Sequence, residues 1–353
     1  MTWLTRMWTV ASIELQQRVR GAAWYVLLGI FVFVVLVVTV FTTIATANSD
    51  APGAVLYSLI VYFVLLLGTL VVPALSGNAI NGDREAGTLA TTQVTLVTTS
   101  QLVIGKLVAA WITALGFLVT ALPFLLFALV LGGASTASAI VSILVLALEL
   151  GVVSAVGVGL SGLIRRPLFS VVATYLVVAL LSIGTLIAFG LGGMVAQEKV
   201  IQRYEAVDWQ ASSTEIDPQT GLPEKLVCTT VENEITVPRF DRVWWMLAAN
   251  PYVLLADAVP THYDGFGNPD DLFGGIKYAV RQAQIPPDTP SWSECEMFDQ
   301  TPYPSPEEVI SRTVPSWAVG MLLHVLLAGG LVAGAVARTH APAKRMAAGS
   351  RVA

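Results

Sequence analysis

The chain has 353 residues, of which 55% are hydrophobic and only 12% charged, and its net charge is -5. A soluble globular protein carries about 25% charged residues, so this composition excludes a chain made only of soluble domains. The acidic balance and the lack of a basic groove exclude a nucleic-acid binder.

Residues 1–20 read as an amphipathic helix. Trp3, Leu4, Met7, Trp8, Ala11 and Leu15 recur at helical spacing, while Arg6, Glu14, Gln17 and Arg18 are polar. Two readings stay open: a helix lying in the bilayer interface with its tryptophans at headgroup level, or an extension of the first span packed on protein. Six apolar blocks follow, at residues 24–44, 56–74, 107–131, 139–164, 169–191 and 316–336. Each is long enough to cross a hydrocarbon core of about 30 Å as a helix, and lipid offers no other partner for backbone polar groups. The first block is too long for a signal-peptide core, so Ala45-Thr46-Ala47 after it is read as the end of a span rather than a cleavage site. Pro73 and Pro123 fall inside the second and third blocks, where each removes a backbone donor and favours a kink. Glycines gather in the later blocks, Gly330 and Gly334 among them, where small residues let helices approach closely.

Charge sets the expected orientation. Arg6, Arg18 and Arg20 precede the first span, Arg84 and Lys106 lie between the second and third, and Arg165 and Arg166 lie between the fourth and fifth. Arg338, Lys344, Arg345 and Arg351 follow the last. The loops at 46–53 and 132–138 carry no Lys or Arg. The positive-inside rule therefore places both termini in the cytoplasm. The expected fold is an all-α integral membrane protein of six transmembrane helices, with an α+β extracellular domain between the fifth and sixth. Its parts are an interfacial helix (1–20), spans one to five (21–192) with a cytoplasmic loop at 75–106, the extracellular domain (193–314), the sixth span (315–337) and a basic tail (338–353).

Of the 24 acidic residues, 19 fall within 194–314, against eight Lys and Arg. In that region, residues 196–207 are expected to prolong the fifth span as a helix. Residues 225–237 have strand content after the turn Asp217-Pro218-Gln219-Thr220-Gly221. The aromatic segment at 243–255, broken by Asn250-Pro251, reads as a helix at the outer interface. The Asp264–Asp271 stretch lacks the alternating ligands of a calcium loop and reads as a solvated loop. Cys228 and Cys295 both lie in this region; a disulfide is favoured over two buried thiols outside the cytoplasm.

No phosphate loop is present: Gly105-Lys106 is followed by Leu107. His262, His324 and His340 are scattered without metal-ligand spacing, and no Ser or Cys stands in a nucleophile motif. Two ionisable residues fall inside spans, Glu149 in the fourth and His324 in the sixth. Each lies about two to three helical turns from the outer end, so they stand at similar depth. Such groups usually face protein or water. They either form a structural bond between helices or serve a transport path or proton relay.

The polar island between the second and third spans is the most patterned part. It runs Asp83-Arg84-Glu85-Ala86-Gly87-Thr88-Leu89, then Thr98-Thr99-Ser100, then Gly105-Lys106. Asp83 and Glu85 suit the positive end of a helix if one starts there, Arg84 can make a forked bond to a carboxylate, and Gly87 permits a turn. In residue type and spacing this stretch resembles the first cytoplasmic loop of ABC exporter permeases of the ABC-2 type. Asp83 stands where Glu is commoner, Ala90 where an acid often follows, and Leu96 where proline is frequent. The six-span layout, amphipathic N-terminus and large insertion before the last span are also similar.

The resemblance implies a short coupling helix through which Asp83, Arg84, Glu85, Gly87, Thr88, Leu89, Gly105 and Lys106 serve a cytoplasmic ABC ATPase. It implies a second permease subunit, alike or related, and a cell-membrane exporter that is not itself an enzyme. Its ATP and Mg would be bound by the partner, with no cofactor or metal in this chain. The alternative is a membrane-anchored extracellular binding or sensor protein without transport activity.

Overall fold

Six helices are long and apolar enough to cross a membrane in the computed structural model, which describes residues 2–47, 51–87, 97–132, 134–212, 227–287, 292–293 and 304–339. The N-terminal helix α1 (Trp3–Arg20) is followed by α2 (Ala22–Ala45), α3 (Pro52–Ser76), short α4 (Ala79–Glu85), α5 (Thr99–Val130) and α6 (Thr136–Leu163). Then come α7 (Pro167–Val195), β1 (Gln197–Val207), β2 (Cys228–Pro238), α8 (Trp245–Ala248) and α9 (Pro251–Ala258). The chain continues with α10 (Leu272–Gln282), β3 (Trp292–Ser293), α11 (Pro306–Arg312) and α12 (Ser316–Thr339). The spanning helices are α2, α3 continued by α4, α5, α6, α7 and α12. Pro73 and Pro123 both stay within helices, in α3 and α5.

The chain divides into two compact units. The first is Met1–Thr185 with Leu247–Lys277 and Pro315–Ala353; the second is Leu186–Met246 with Tyr278–Val314.

In the first unit α3 and α6 are central. Of their most apolar stretches 56% and 61% are buried, against 17%, 11% and 17% for α2, α7 and α12. Leu56, Tyr57, Ile60, Leu65, Phe117, Leu125, Leu146 and Leu150 fill the core. The outer helices turn large apolar side chains outward, such as Phe33, Phe41, Leu176 and Leu326, as lipid-solvated spans do. Close packing of α6 on α12 depends on a missing side chain: a Cβ at Gly159 would lie 2.7 Å from that of Leu331.

Of the segment at 243–255 expected as an interfacial helix, the part from Leu247 onward lies inside the protein instead. Leu247, Ala248, Asn250, Val253, Leu254, Leu255, Ala256 and Asp257 are all buried. An interfacial helix needs a polar face, and a helix apolar all round belongs inside. The buried Asp257 is satisfied at the start of α12, accepting from the Ser316 hydroxyl and the Trp317 N–H, each at 2.9 Å. A Cβ at Gly320 would stand 2.0 Å from the Ala248 carbonyl oxygen, so the segment lies directly against α12.

In the second unit β1 pairs antiparallel with β2, in register from Gln197 opposite Pro238 to Val207 opposite Cys228. Short β3 pairs parallel with β1 at Tyr204 and Glu205. The expected strand content around 225–237 is present, but 196–207 is a strand rather than a prolonged helix. Its side chains alternate in exposure along the whole length, and β-branched Val200 and Ile201 with Tyr204 suit a pleated surface. Phe240 packs where Gly193 has no side chain and lies 5.0 Å from the Phe189 ring.

Candidate functional site

The island residues meet the N-terminal helix in a cluster of four charges. The Lys106 ammonium, on the first turns of α5, contacts Glu14 Oε2 and Asp83 Oδ2, both at 2.9 Å. Glu14 also binds Arg18 at 3.2 Å, and Arg18 reaches the Thr113 hydroxyl at 3.4 Å and the Leu75 carbonyl at 3.3 Å. Only 4% of the Lys106 side chain is exposed. Taking such a charge out of water is costly unless it is paired and hydrogen-bonded, and here it has two carboxylate partners from two other helices. Burial pushes the Glu14 carboxyl up, but the charges and hydrogen bonds of Lys106 and Arg18 outweigh it and hold the group below its ordinary value.

The start of α5 is built to receive α1. Thr98 and Gln101 form a reciprocal capping box, and the Gln101 amide donates to the Trp3 carbonyl at 3.3 Å. A side chain at Gly105 would lie 2.8 Å from the Met7 carbonyl oxygen. Helix α1 therefore packs one face on α5 while Trp3, Leu4 and Trp8 remain exposed. The packing of this helix on protein is thus present, and its exposed tryptophans leave an apolar face of the kind that suits an interface.

The structure sorts the motif residues. Gly105 and Lys106 face α1, and Asp83 turns toward Lys106. Arg84 is half-buried and donates to Asn81 Oδ1 at 2.6 Å. Asn81 is buried and in turn donates to the Ile164 carbonyl at 2.7 Å. The Ile80 and Asn81 N–H groups both bond the Ser161 hydroxyl, at 2.9 and 3.1 Å, so α4 is anchored to the end of α6. Glu85 and Gly87 are exposed, and Gly87 has φ +72°, the left-handed conformation that glycine takes without strain. Thr88 and Leu89 lie outside the described residues. Asp83 and Glu85 occupy the end of α4 rather than a helix start, where Arg84 instead suits the negative end of the dipole. Sequence reasoning missed Glu14. Its pairing with Lys106 spans 92 positions, and the only local sign was an acid four residues before Arg18 on an amphipathic helix.

Glu149 and His324 do meet. Both carboxylate oxygens lie within 3.0 Å of His324 Nδ1, and His324 Nε2 stands 2.9 Å from the Ala249 carbonyl. A carbonyl only accepts, so Nε2 carries a proton. A second proton then lies between Nδ1 and the carboxylate, giving either an imidazolium–carboxylate pair or a neutral imidazole with a carboxylic acid. The pair borders a void of about 10 Å³, with Thr69, Val156, Leu181 and Pro251 around it. Leu181 belongs to a π-turn, Leu180–Gly184, inside α7. The Ser182 carbonyl of that turn accepts from the Asn250 amide at 2.6 Å, so α9 is tied to α7 on one side and, through Ala249, to His324 on the other.

Cys228 opens β2; Cys295 and His340 lie outside the described residues. Among the described residues no group of three His, Cys, Asp or Glu side chains is placed to hold a metal ion. No family model matches the chain, and no curated protein does either.

Proposed function

We propose that this chain is the membrane-spanning permease subunit of an ATP-driven exporter similar to the ABC-2 type. In this reading both termini and the 75–106 loop are cytoplasmic, the β-containing unit is outside, and the cell membrane is its site. A separate ATPase binds ATP and Mg and docks on the loop, and a second permease subunit completes the path.

One observation supports the reading above the others, the Glu14–Lys106–Asp83 cluster. A plain tether between two spans has no need to bury a lysine against two carboxylates. A loop that transmits force does need a stiff joint, and this joint ties α4 to both α1 and α5. Glu85 and Gly87 are left on the exposed side, available to a soluble partner. Closure of the ATPases would then push α4 and, through the joint, switch the spans between two states.

The test is co-purification with an unbiased search for bound ATPase, on the native chain and on Arg84→Glu and Glu85→Lys. Reversing a charge at a docked contact costs several kcal/mol, whereas an exposed, unpartnered one is worth little. The expected result is an ATPase recovered with the native chain and lost with the variants. Recovery of no ATPase, or equal recovery with both well-folded variants, would refute the docking assignment and favour the membrane-anchored binding protein.

A further inference from the structure

We propose that a groove at the junction of α6 and α7 binds one anionic phospholipid, its phosphodiester on Arg165 and Arg166 and an acyl chain along α7. The two arginines lie in the short connection between Leu163, which ends α6, and Pro167, which begins α7. The groove measures about 400 Å³ and is lined by Ile164, Arg165, Arg166, Phe169, Ala173 and Leu176, among others. Apart from the arginines its lining is apolar. Phe169, Ala173 and Leu176 recur at helical spacing, so they form one face of α7 running roughly 10 Å from the charged end. Phe169 and Leu176 are 57% and 65% exposed on a helix long and apolar enough to span a membrane, so the groove opens on the kind of face that a span turns to lipid.

Among the described residues no carboxylate pairs with Arg165 or Arg166. Arg84 stands near enough to Arg165 for the two charges to repel. The Arg166 guanidinium lies over the Phe169 ring, 5.7 Å from its centroid, which fixes its plane at the groove mouth. The connection is also held in place: Asn81 binds the Ile164 carbonyl at 2.7 Å, and the Ser170 hydroxyl donates to the Gly77 carbonyl at 2.6 Å. Forked donors at the end of an apolar channel on a membrane span match a phosphodiester with a chain attached. A soluble anion would leave the channel empty, and a soluble protein would not follow it along a span. The inference does not depend on the exporter reading.

The test uses the purified full chain in zwitterionic nanodiscs. Native mass spectrometry follows titration with short-chain phosphatidylglycerol, with phosphatidylcholine of the same chain length, and with glycerol 3-phosphate. Phosphatidylglycerol is expected to bind at least tenfold more tightly than either comparator. A surface cation contributes about 1 kcal/mol toward an anionic lipid. At 1.4 kcal/mol per tenfold, Arg165→Gln with Arg166→Gln should weaken phosphatidylglycerol about thirtyfold. Ala173→Leu keeps both arginines and fills the channel, so it should weaken the same lipid severalfold; it also serves as the test if the double variant fails to insert. Equal binding of the two lipids, undiminished binding by the arginine variant, or an unchanged Ala173→Leu would overturn the proposal. Glycerol 3-phosphate binding as tightly as the lipid would also overturn it, by showing a site for a free anion.

Discussion

Replacing Lys106 with Met tests the joint between α1, α4 and α5. The ammonium is 4% exposed with carboxylates at 2.9 Å on two sides. Breaking a buried ion pair by removing one partner typically costs about 3–5 kcal/mol. Here the orphans are partly relieved. Glu14 keeps Arg18 at 3.2 Å, and the Asp83 side chain is already 31% exposed. The expected cost is therefore roughly 2–3 kcal/mol. Glu14→Gln leaves Lys106 with Asp83 and should cost about 1–2 kcal/mol. The double variant should cost less than the sum by about 1–2 kcal/mol, because the two residues share one contact. Thermal unfolding in detergent ranks the four proteins, and a cysteine at Ala11, which is 0% exposed, reports locally. It should resist thiol reagents in the native background and react once Lys106 is replaced. Strict additivity together with an unreactive Ala11→Cys would refute the joint. Acid gives an independent check. The Glu14 carboxyl is held below its ordinary 4.5 in the folded chain, so the unfolded chain binds the proton first as pH falls. Its stabilisation is complete above 4.5 and drains as pH drops through the lowered folded value. That loss should be absent in Glu14→Gln.

At the buried pair, Glu149→Ala and His324→Ala should each destabilise by about 3–5 kcal/mol in thermal denaturation. The double variant should recover 1–3 kcal/mol of their sum, and additivity would remove the coupling. Asp271 is pushed up to about 6, chiefly by burial, with Asp270 adding to it against the Gly274 N–H. A raised carboxyl binds its proton more tightly when folded, so its contribution is best at low pH and is lost as pH rises from 3.8 through about 6. Asp271→Asn should accordingly raise the melting temperature at pH 7.5 and not at pH 3.5; a gain equal at both would refute the assignment. If Cys228 and Cys295 are bridged, the closed loop stabilises by roughly 4 kcal/mol, and the intact mass should rise by two hydrogens on reduction; identical masses before and after would exclude the bridge.

The spanning helices were legible because lipid imposes a single requirement, a long apolar run, and composition alone records it. The strand at 228–238 was legible from its β-branched alternation. Residues 197–207 were read as helix because they follow a span without a break; their pairing partner lies some thirty residues on, and no local signal carries that contact. The later part of the 243–255 segment was misplaced for a related reason. Its aromatics and Asn-Pro suit either an interface or a buried turn, and the choice depends on Gly320 and on the polar partners that Ser316, Ser182 and His324 supply. Glu149 and His324 stood out since an ionisable group within a span is rare, and equal depth sufficed to suggest their meeting. Glu14 did not stand out, because a lone acid on an amphipathic helix usually faces water.

The division of the polar island into inward and outward residues gives the motif two separable duties. Asp83, Gly105 and Lys106 are turned into the protein, where size and charge are dictated by Met7 and Glu14. Glu85 and Gly87 are turned out; the left-handed backbone at Gly87 calls for glycine, and no described neighbour dictates the charge at Glu85. Under the exporter reading the first group is the joint and the second the contact, and the two must fail differently. Replacing Lys106 should loosen α1 and lower stability whether or not a partner is present. Reversing Glu85 should leave stability within about 0.5 kcal/mol, as surface changes do, and act only on partner binding or coupled turnover. A Glu85→Lys protein that unfolds early, or a Lys106→Met protein with native stability and a silent partner, would show that the inward and outward assignments are exchanged.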